Sequence, residues 1–196
     1  MTNNFLRPLS IGTVRLKNNL ALAPMAGVTN AAFRILAAEG GAGLVVTEMV
    51  SAESIKYGNK KSFKMLELLP GEHPAAIQVF GADPASMAQA AQAAERAGAD
   101  IVDINAGCPV KKVLRSGSGS ALMKTPQLLA DIVSRMVKSV KVPVTVKFRI
   151  GLTAGENLCP LLARVCEEAG ASAITLHGRP ASQVHSGPVN LEAMAE

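Results

Sequence analysis

Six short apolar runs alternate with helical patterns along this chain, and a glycine follows most of the helical stretches. The runs are Leu20-Ala21-Leu22-Ala23, Leu44-Val45-Val46-Thr47-Glu48-Met49, Ala75-Ala76-Ile77-Gln78-Val79-Phe80, Ile101-Val102-Asp103-Ile104, Val144-Thr145-Val146-Lys147-Phe148-Arg149 and Ala173-Ile174-Thr175-Leu176. With only a few residues in each connection, such units specify parallel strands joined by right-handed crossovers. Thr29 is placed to cap a first helix that runs to about Glu39, where Gly40, Gly41 and Gly43 stop it. Asp83 caps a second helix, with Pro84 at a position that tolerates proline, and that helix runs to Gly98. A third starts at Thr125-Pro126 and a fourth runs from about Asn157 to Ala169 before Gly170. Ahead of these units, residues 9–17 alternate around Gly12 and predict a small hairpin that covers one end of the core. Residues 51–64 form a polar segment whose Lys56, Lys60, Lys61 and Lys64 read either as a solvated face or as a binding patch.

Parallel α/β units build either an open doubly wound sheet or a (β/α)₈ barrel. No Gly-x-Gly-x-x-Gly follows any strand, which counts against a dinucleotide-binding sheet. Polar residues favour the barrel, because Pro24-Met25, Glu48, Gln78, Asn105, Lys147 and His177 end successive strands. Closure converges such residues on one mouth, whereas an open sheet strings them along an edge. The expected class is therefore an α/β TIM barrel truncated to about its first six β/α units. A complete barrel of this kind takes about 250 residues, and this chain has 196.

The stretch Ile101 to Lys112 carries the clearest sign of chemistry. Its apolar run stops at Asn105, and a Gly107-Cys108-Pro109 turn then presents one thiol beside Lys111 and Lys112. Ligands meet the C-terminal ends of strands in parallel sheets and barrels, which is where this order puts Asn105 and Cys108. A lone cysteine also packs as a small hydrophobe, and that alternative stands for Cys108 at this level. Composition bounds the partners: 48% hydrophobic and 18% charged residues suit a globular core and exclude a disordered chain. A net charge of +5 favours a polyanionic partner such as nucleic acid or phosphate. Cys108, Cys159 and Cys166 lack metal-ligand spacing and cannot all pair, so no metal is expected, a reducing compartment is, and the last two read as structural. The apolar stretch of residues 20–46 is interrupted by Pro24, Arg34 and Glu39, and no basic leader opens the chain. A cytoplasmic protein without a membrane segment is expected.

Taken together, Pro24-Met25-Ala26-Gly27-Val28-Thr29, Gln78, Asn105-Ala106-Gly107-Cys108-Pro109 with Lys111-Lys112-Val113, Gly119-Ser120-Ala121-Leu122, Lys147-Phe148-Arg149 and His177-Gly178-Arg179 resemble the tRNA-dihydrouridine synthases, most of all the bacterial B type. The likeness runs in register from about Leu9 to Gly187, and Asn-x-Gly-Cys-Pro-x-Lys-Lys with a downstream Lys-x-Arg is its most specific part. The resemblance implies an FMN-dependent barrel that reduces a uridine in the D loop of tRNA to 5,6-dihydrouridine, with NADPH as reductant. It implies Cys108 as the catalytic proton donor, and Pro24, Met25, Ala26, Gln78, Lys147 and His177 as cofactor-binding residues. Asn105, Lys111, Arg149 and Arg179 would meet uracil or RNA. It also implies that a C-terminal helical domain helps dock tRNA, and that the loops after the last two strands hold the FMN phosphate. Neither is encoded in residues 1–196, so the isolated chain is expected to be inactive, and the full-length protein a monomer.

The chemistry follows the residue types. Saturating the uracil double bond needs a hydride at carbon 6 and a proton at carbon 5, and no side chain supplies a hydride. A thiol of ordinary pKa, about 8.5, is mostly protonated at neutral pH and serves as a general acid worth roughly 10²–10⁴-fold. A fixed cation at Lys147 would stabilise an anionic reduced ring, and the amides of Gln78 and Asn105 offer both donor and acceptor to a ring edge. The sequence departs from the family at Pro180, where threonine is usual, and proline removes a backbone donor from that turn. Two other functions remain open at this point. One is a related FMN barrel acting on a small molecule, like the ene-reductases or dihydroorotate dehydrogenases; the other is a non-catalytic RNA-binding barrel.

Overall fold

The computed structural model describes residues 5–195. Two short strands, β1 (Leu9–Ile11) and β2 (Val14–Leu16), pair antiparallel around Gly12. A Cβ on Gly12 would lie 2.8 Å from Pro143 Cγ and 3.3 Å from Ser172 Oγ, so the hairpin tip packs where the last two strands begin. It covers that end of the core, as the alternation around Gly12 predicts.

The chain then runs through β3 (Ala21–Leu22), α1 (Ala31–Glu39), β4 (Leu44–Val46), β5 (Val50–Ser51), α2 (Ala52–Lys56), α3 (Lys60–Lys64), β6 (Ala75–Phe80) and α4 (Pro84–Arg96). It continues with β7 (Ile101–Ala106), α5 (Lys111–Leu114), α6 (Pro126–Ser139), β8 (Val144–Arg149), α7 (Cys159–Glu168), β9 (Ala173–His177) and α8 (Leu191–Ala195). Six parallel strands lie in the order β3-β4-β6-β7-β8-β9, with β5 added to the end of β6. This curled sheet with helices on one side is a half-barrel, the truncated α/β TIM barrel the alternation of elements predicts. Among the described residues, no helix is long and apolar enough to cross a membrane.

Period-two alternation gives the sheet two different faces. Ile77, Val79, Val102, Ile104, Val144, Val146 and Phe148 pack into a core with Met87 and Ala90 of α4, Leu129, Ile132 and Met136 of α6, and Leu162 and Cys166 of α7. Each of the Val, Ile, Leu, Met and Phe side chains among these stabilises the fold by roughly 1.5–3 kcal/mol through burial. On the other face, Leu44, Val46, Ala76 and Ile101 close over Leu16 of the hairpin. From two residues further along these strands that face turns polar, with Gln78 beside Asp103, Asp103 beside Thr145 and Asn105 beside Lys147 in register. The apolar floor and the polar mouth of the half-barrel thus come from a single alternation.

Several local features differ from the sequence reading. Asn30, not Thr29, caps α1: its side chain accepts from Phe33 N at 3.1 Å. Thr29 is buried with its hydroxyl bonded to Met25 N and Met25 O, which closes the turn before the helix instead of opening it. The first strand contracts to two residues, and the second stops at Val46, where Thr47 Oγ1 turns to accept from Gln78 N. The polar segment of residues 51–64 contains α2 and α3, each opened by an N-cap, Ser51 and Asn59. The fourth predicted helix begins at Cys159, with Asn157 Oδ1 accepting from Cys159 N ahead of it.

Candidate active site

A cavity of about 210 Å³ opens at the C-terminal ends of the strands. It is lined by Pro24, Met25 and Ala26 after β3, Met49 after β4, Gln78 of β6, Asn105 of β7 with Gly107 and Cys108 after it, Lys147 and Arg149 of β8, His177 of β9, and Val184 and His185 beyond. All the residues expected to carry the acid and the cofactor therefore converge, and Asn105 and Arg149 join them. Lys111 and Arg179 do not line the cavity. Lys111 is exposed at the start of α5, directly after the lining residue Val110. Arg179 points to Gly187 O, at 2.8 Å, and to His177 Nε2, at 3.2 Å.

Backbone geometry sets Cys108 in place. Asn105 Oδ1 accepts from Gly107 N and Cys108 N at 3.2 and 2.9 Å, and Ser120 N donates to Cys108 O at 3.0 Å. Gly119 has φ of 62°, and a Cβ there would lie 2.6 Å from Cys108 O, so the loop after α5 closes under the cysteine only with glycine at this position. Arg149, expected to face RNA phosphates, is instead buried, and its guanidinium donates to Gly107 O at 2.9 Å and Pro180 O at 3.2 Å. It clasps the Cys108 loop to the turn after β9. The Met25 turn is held by different groups: Gly27 N donates to Glu48 Oε1, and Arg34, ion-paired with buried Glu72, donates to Thr29 O at 2.7 Å.

The electrostatics follow from burial and crowding of cations. Burial lowers the Lys147 pKa, with Asp103 opposing the shift and Arg149 adding to it. Burial raises that of Asp103, while hydrogen bonds from Thr145 and Gln78 and the charge of Lys147 hold it back. Burial first, then Arg149, Lys147, Arg179 and His185, push His177 down to about 4. His177 is therefore neutral at pH 7, and the Arg179 guanidinium beside Nε2 requires a lone pair there, which leaves the ring proton on Nδ1. The two other cysteines sit in the helical layer, and burial pushes the Cys166 thiol up to about 12.

Set against known proteins, residues 21–196 match the family model described as "Dihydrouridine synthase (Dus)". The chain belongs to the dihydrouridine synthase family. It is 43% identical over 180 residues to a probable tRNA-dihydrouridine synthase of Rickettsia conorii, covering 91% of this chain and 54% of that one. It is 41% identical over 185 residues to tRNA-dihydrouridine synthase B of Pseudomonas aeruginosa, covering 94% of this chain and 56% of that one. The chain thus spans about half the length of these relatives. In fold it is similar to a 2-naphthoyl-CoA reductase, with a TM-score of 0.67 at 14% identity over 90% of this chain and 40% of that one. A histamine dehydrogenase from Rhizobium sp. 4-9 superposes with a TM-score of 0.60 at 14% identity, covering 85% of this chain and 35% of that one.

Within this dihydrouridine synthase family member, further residues belong to the site, Met49 on the cavity wall among them. Asp103 and Thr145 are hidden in strand patterns that read as apolar, and only the pairing of β6, β7 and β8 shows that Asp103 lies between Gln78 and Thr145 and bonds to both. His185 and Val184 lie in an irregular segment without periodicity. His185 stacks 6.1 Å from His177, centroid to centroid, and Val184 adopts φ of 51°, a strained conformation for a β-branched residue.

Proposed function

We propose that these residues form the catalytic part of an FMN-dependent tRNA-dihydrouridine synthase, a cytoplasmic, monomeric oxidoreductase that reduces a uridine of the tRNA D loop with NADPH. The reading is carried by the meeting, in one cavity of a family member, of a thiol, two amides and a lysine from successive parallel strands. The donor set fits a flavin. Pro24, Met25 and Ala26 offer backbone and apolar surface to a flat ring, Gln78 and Asn105 offer amide edges, Lys147 a cation and His177 a neutral imidazole. When bound, reduced FMN supplies the hydride that carbon 6 of uracil requires.

The rest of the chemistry belongs to side chains. Cys108 is half-exposed on the cavity wall and gives its thiol proton to carbon 5 as the double bond is saturated. His177 is hydrogen-bonded through Nε2 to Arg179, so it is not available at that nitrogen as a base for the thiol; this argues against a nucleophilic role for Cys108. Lys111 and Lys112 of α5 and the following Arg115 are exposed beside the mouth and meet RNA phosphates. Residues beyond the matched half would complete the barrel and hold the FMN phosphate.

The test is to join residues 1–196 to the C-terminal part of the Pseudomonas aeruginosa relative that the match does not cover. The purified product should be yellow, be reduced by NADPH, and be reoxidised by tRNA with formation of dihydrouridine. Reoxidation by a small enoate or by orotate, and not by tRNA, would favour a small-molecule FMN barrel. A colourless, tRNA-binding product would favour a non-catalytic one.

A further inference from the structure

We infer that Asp103 is a positioning residue of this site: its carboxylate orients two amides in series, Gln78 and then Asn105, and through them holds the backbone of Cys108. The catalytic consequence rests on the reading of Cys108 as proton donor, whereas the hydrogen-bond order stands on geometry alone. Asp103 lies in the middle of β7, buried, with Oδ1 accepting from Thr145 Oγ1 and Oδ2 from Gln78 Nε2, both at 2.6 Å. Gln78 Oε1 accepts from Asn105 Nδ2 at 2.9 Å, and Asn105 Oδ1 accepts from the amides of Gly107 and Cys108.

Only one order of donors and acceptors satisfies this series. At one end, Gly107 N–H and Cys108 N–H can only donate, so Asn105 must present Oδ1 to them. Its Nδ2 then faces Gln78, which must present Oε1, and Gln78 Nε2 requires an acceptor at its far side. Asp103 is that acceptor. A protonated Asp103 can direct its hydrogen from Oδ1 to Thr145 Oγ1 and still accept from Gln78, so the order survives either charge state. An apolar side chain at position 103 removes the terminal acceptor. Gln78 is then left with a buried amide group lacking its partner, and its preference for one orientation is lost.

The measurement is amide hydrogen exchange at Gly107 and Cys108 in the full chain. Asp103→Leu should speed exchange of both amides by about tenfold, and Gln78→Met, which cuts the series one link later, should do the same. Asp103→Asn should stay within about threefold of wild type, because the carboxamide it introduces can accept from Gln78 through its oxygen while its nitrogen donates to Thr145. In an Asn105→Ala background, Asp103→Leu should add nothing, since the link to Cys108 is already cut. Protected amides in Asp103→Leu, or an equal added loss in the Asn105→Ala background, would overturn the proposal. Dihydrouridine formation by the completed protein separates the two claims. An inactive wild type with the exchange pattern described overturns the activity and leaves the positioning role standing, while Asp103→Leu with loosened amides and unchanged kcat overturns its catalytic consequence.

Discussion

His177 shows how much of this site is decided at single residues. Its pKa, held near 4 by burial and four neighbouring basic groups, predicts that nitrogen-15 NMR will find a neutral, Nδ1-protonated ring down to pH 5. Arg179→Met should raise that value, and an unperturbed titration near pH 6.5 would contradict the packing described. The sign for stability follows from linkage. Between about pH 6.5 and 4 the unfolded state binds the proton and the folded state does not, so stability falls as pH falls through that window. His177→Gln should flatten this slope in denaturant titrations compared with wild type. Cys108, Gln78, Asn105 and Lys147 were legible because polar residues at strand ends interrupt apolar runs. Asp103 was not, because its function depends on Gln78 and Thr145, contributed by strands 25 and 42 residues away in sequence. Arg149 was legible as a member of the site but not in its role, since its partners are two carbonyls that no sequence pattern marks.

At the scale of elements, the loops after strands hold the site, and two of them rest on single residues. Gly119→Ala places a methyl against Cys108 O in a left-handed conformation, and should cost roughly 1–3 kcal/mol in urea denaturation while loosening the Cys108 loop. A cost near zero would mean that the loop has room the structure does not show. Arg34→Met leaves the buried carboxylate of Glu72 without its ion-pair partner and the Thr29 carbonyl without the Arg34 donor, and should cost about 3–5 kcal/mol. Arg34→Met with Glu72→Met should recover much of that loss, because no buried charge then remains. Strand and helix identities were readable from periodicity and glycines, and element ends were less so. Thr29 and Asn30 are both good caps by type, and only the competing bond of the Thr29 hydroxyl to Met25 decides between them. The helices α2 and α3 span barely more than one turn each and show no apolar periodicity to read.

The whole molecule is an arc. Its outer strands β3 and β9 are not paired with each other, so each carries an edge that a complete barrel would satisfy. The order of strands, the hairpin under the floor and the common mouth were all legible, because connection length and handedness allow few arrangements of such units. We predict that residues 1–196 alone bind FMN weakly, by fluorescence titration, and that a co-expressed C-terminal segment of a relative raises the affinity. Tight stoichiometric binding by the chain alone would contradict this. In the proposed reaction Cys108 gives a proton to the substrate and does not hold the cofactor. The most direct test is single-turnover reoxidation of reduced flavin by tRNA in the completed protein, with and without Cys108→Ala. The variant should keep wild-type flavin content and NADPH-driven reduction, with tRNA reduction slower by about 10²-fold or more. Reoxidation at the wild-type rate, or loss of flavin equal to the loss of activity, would contradict that role.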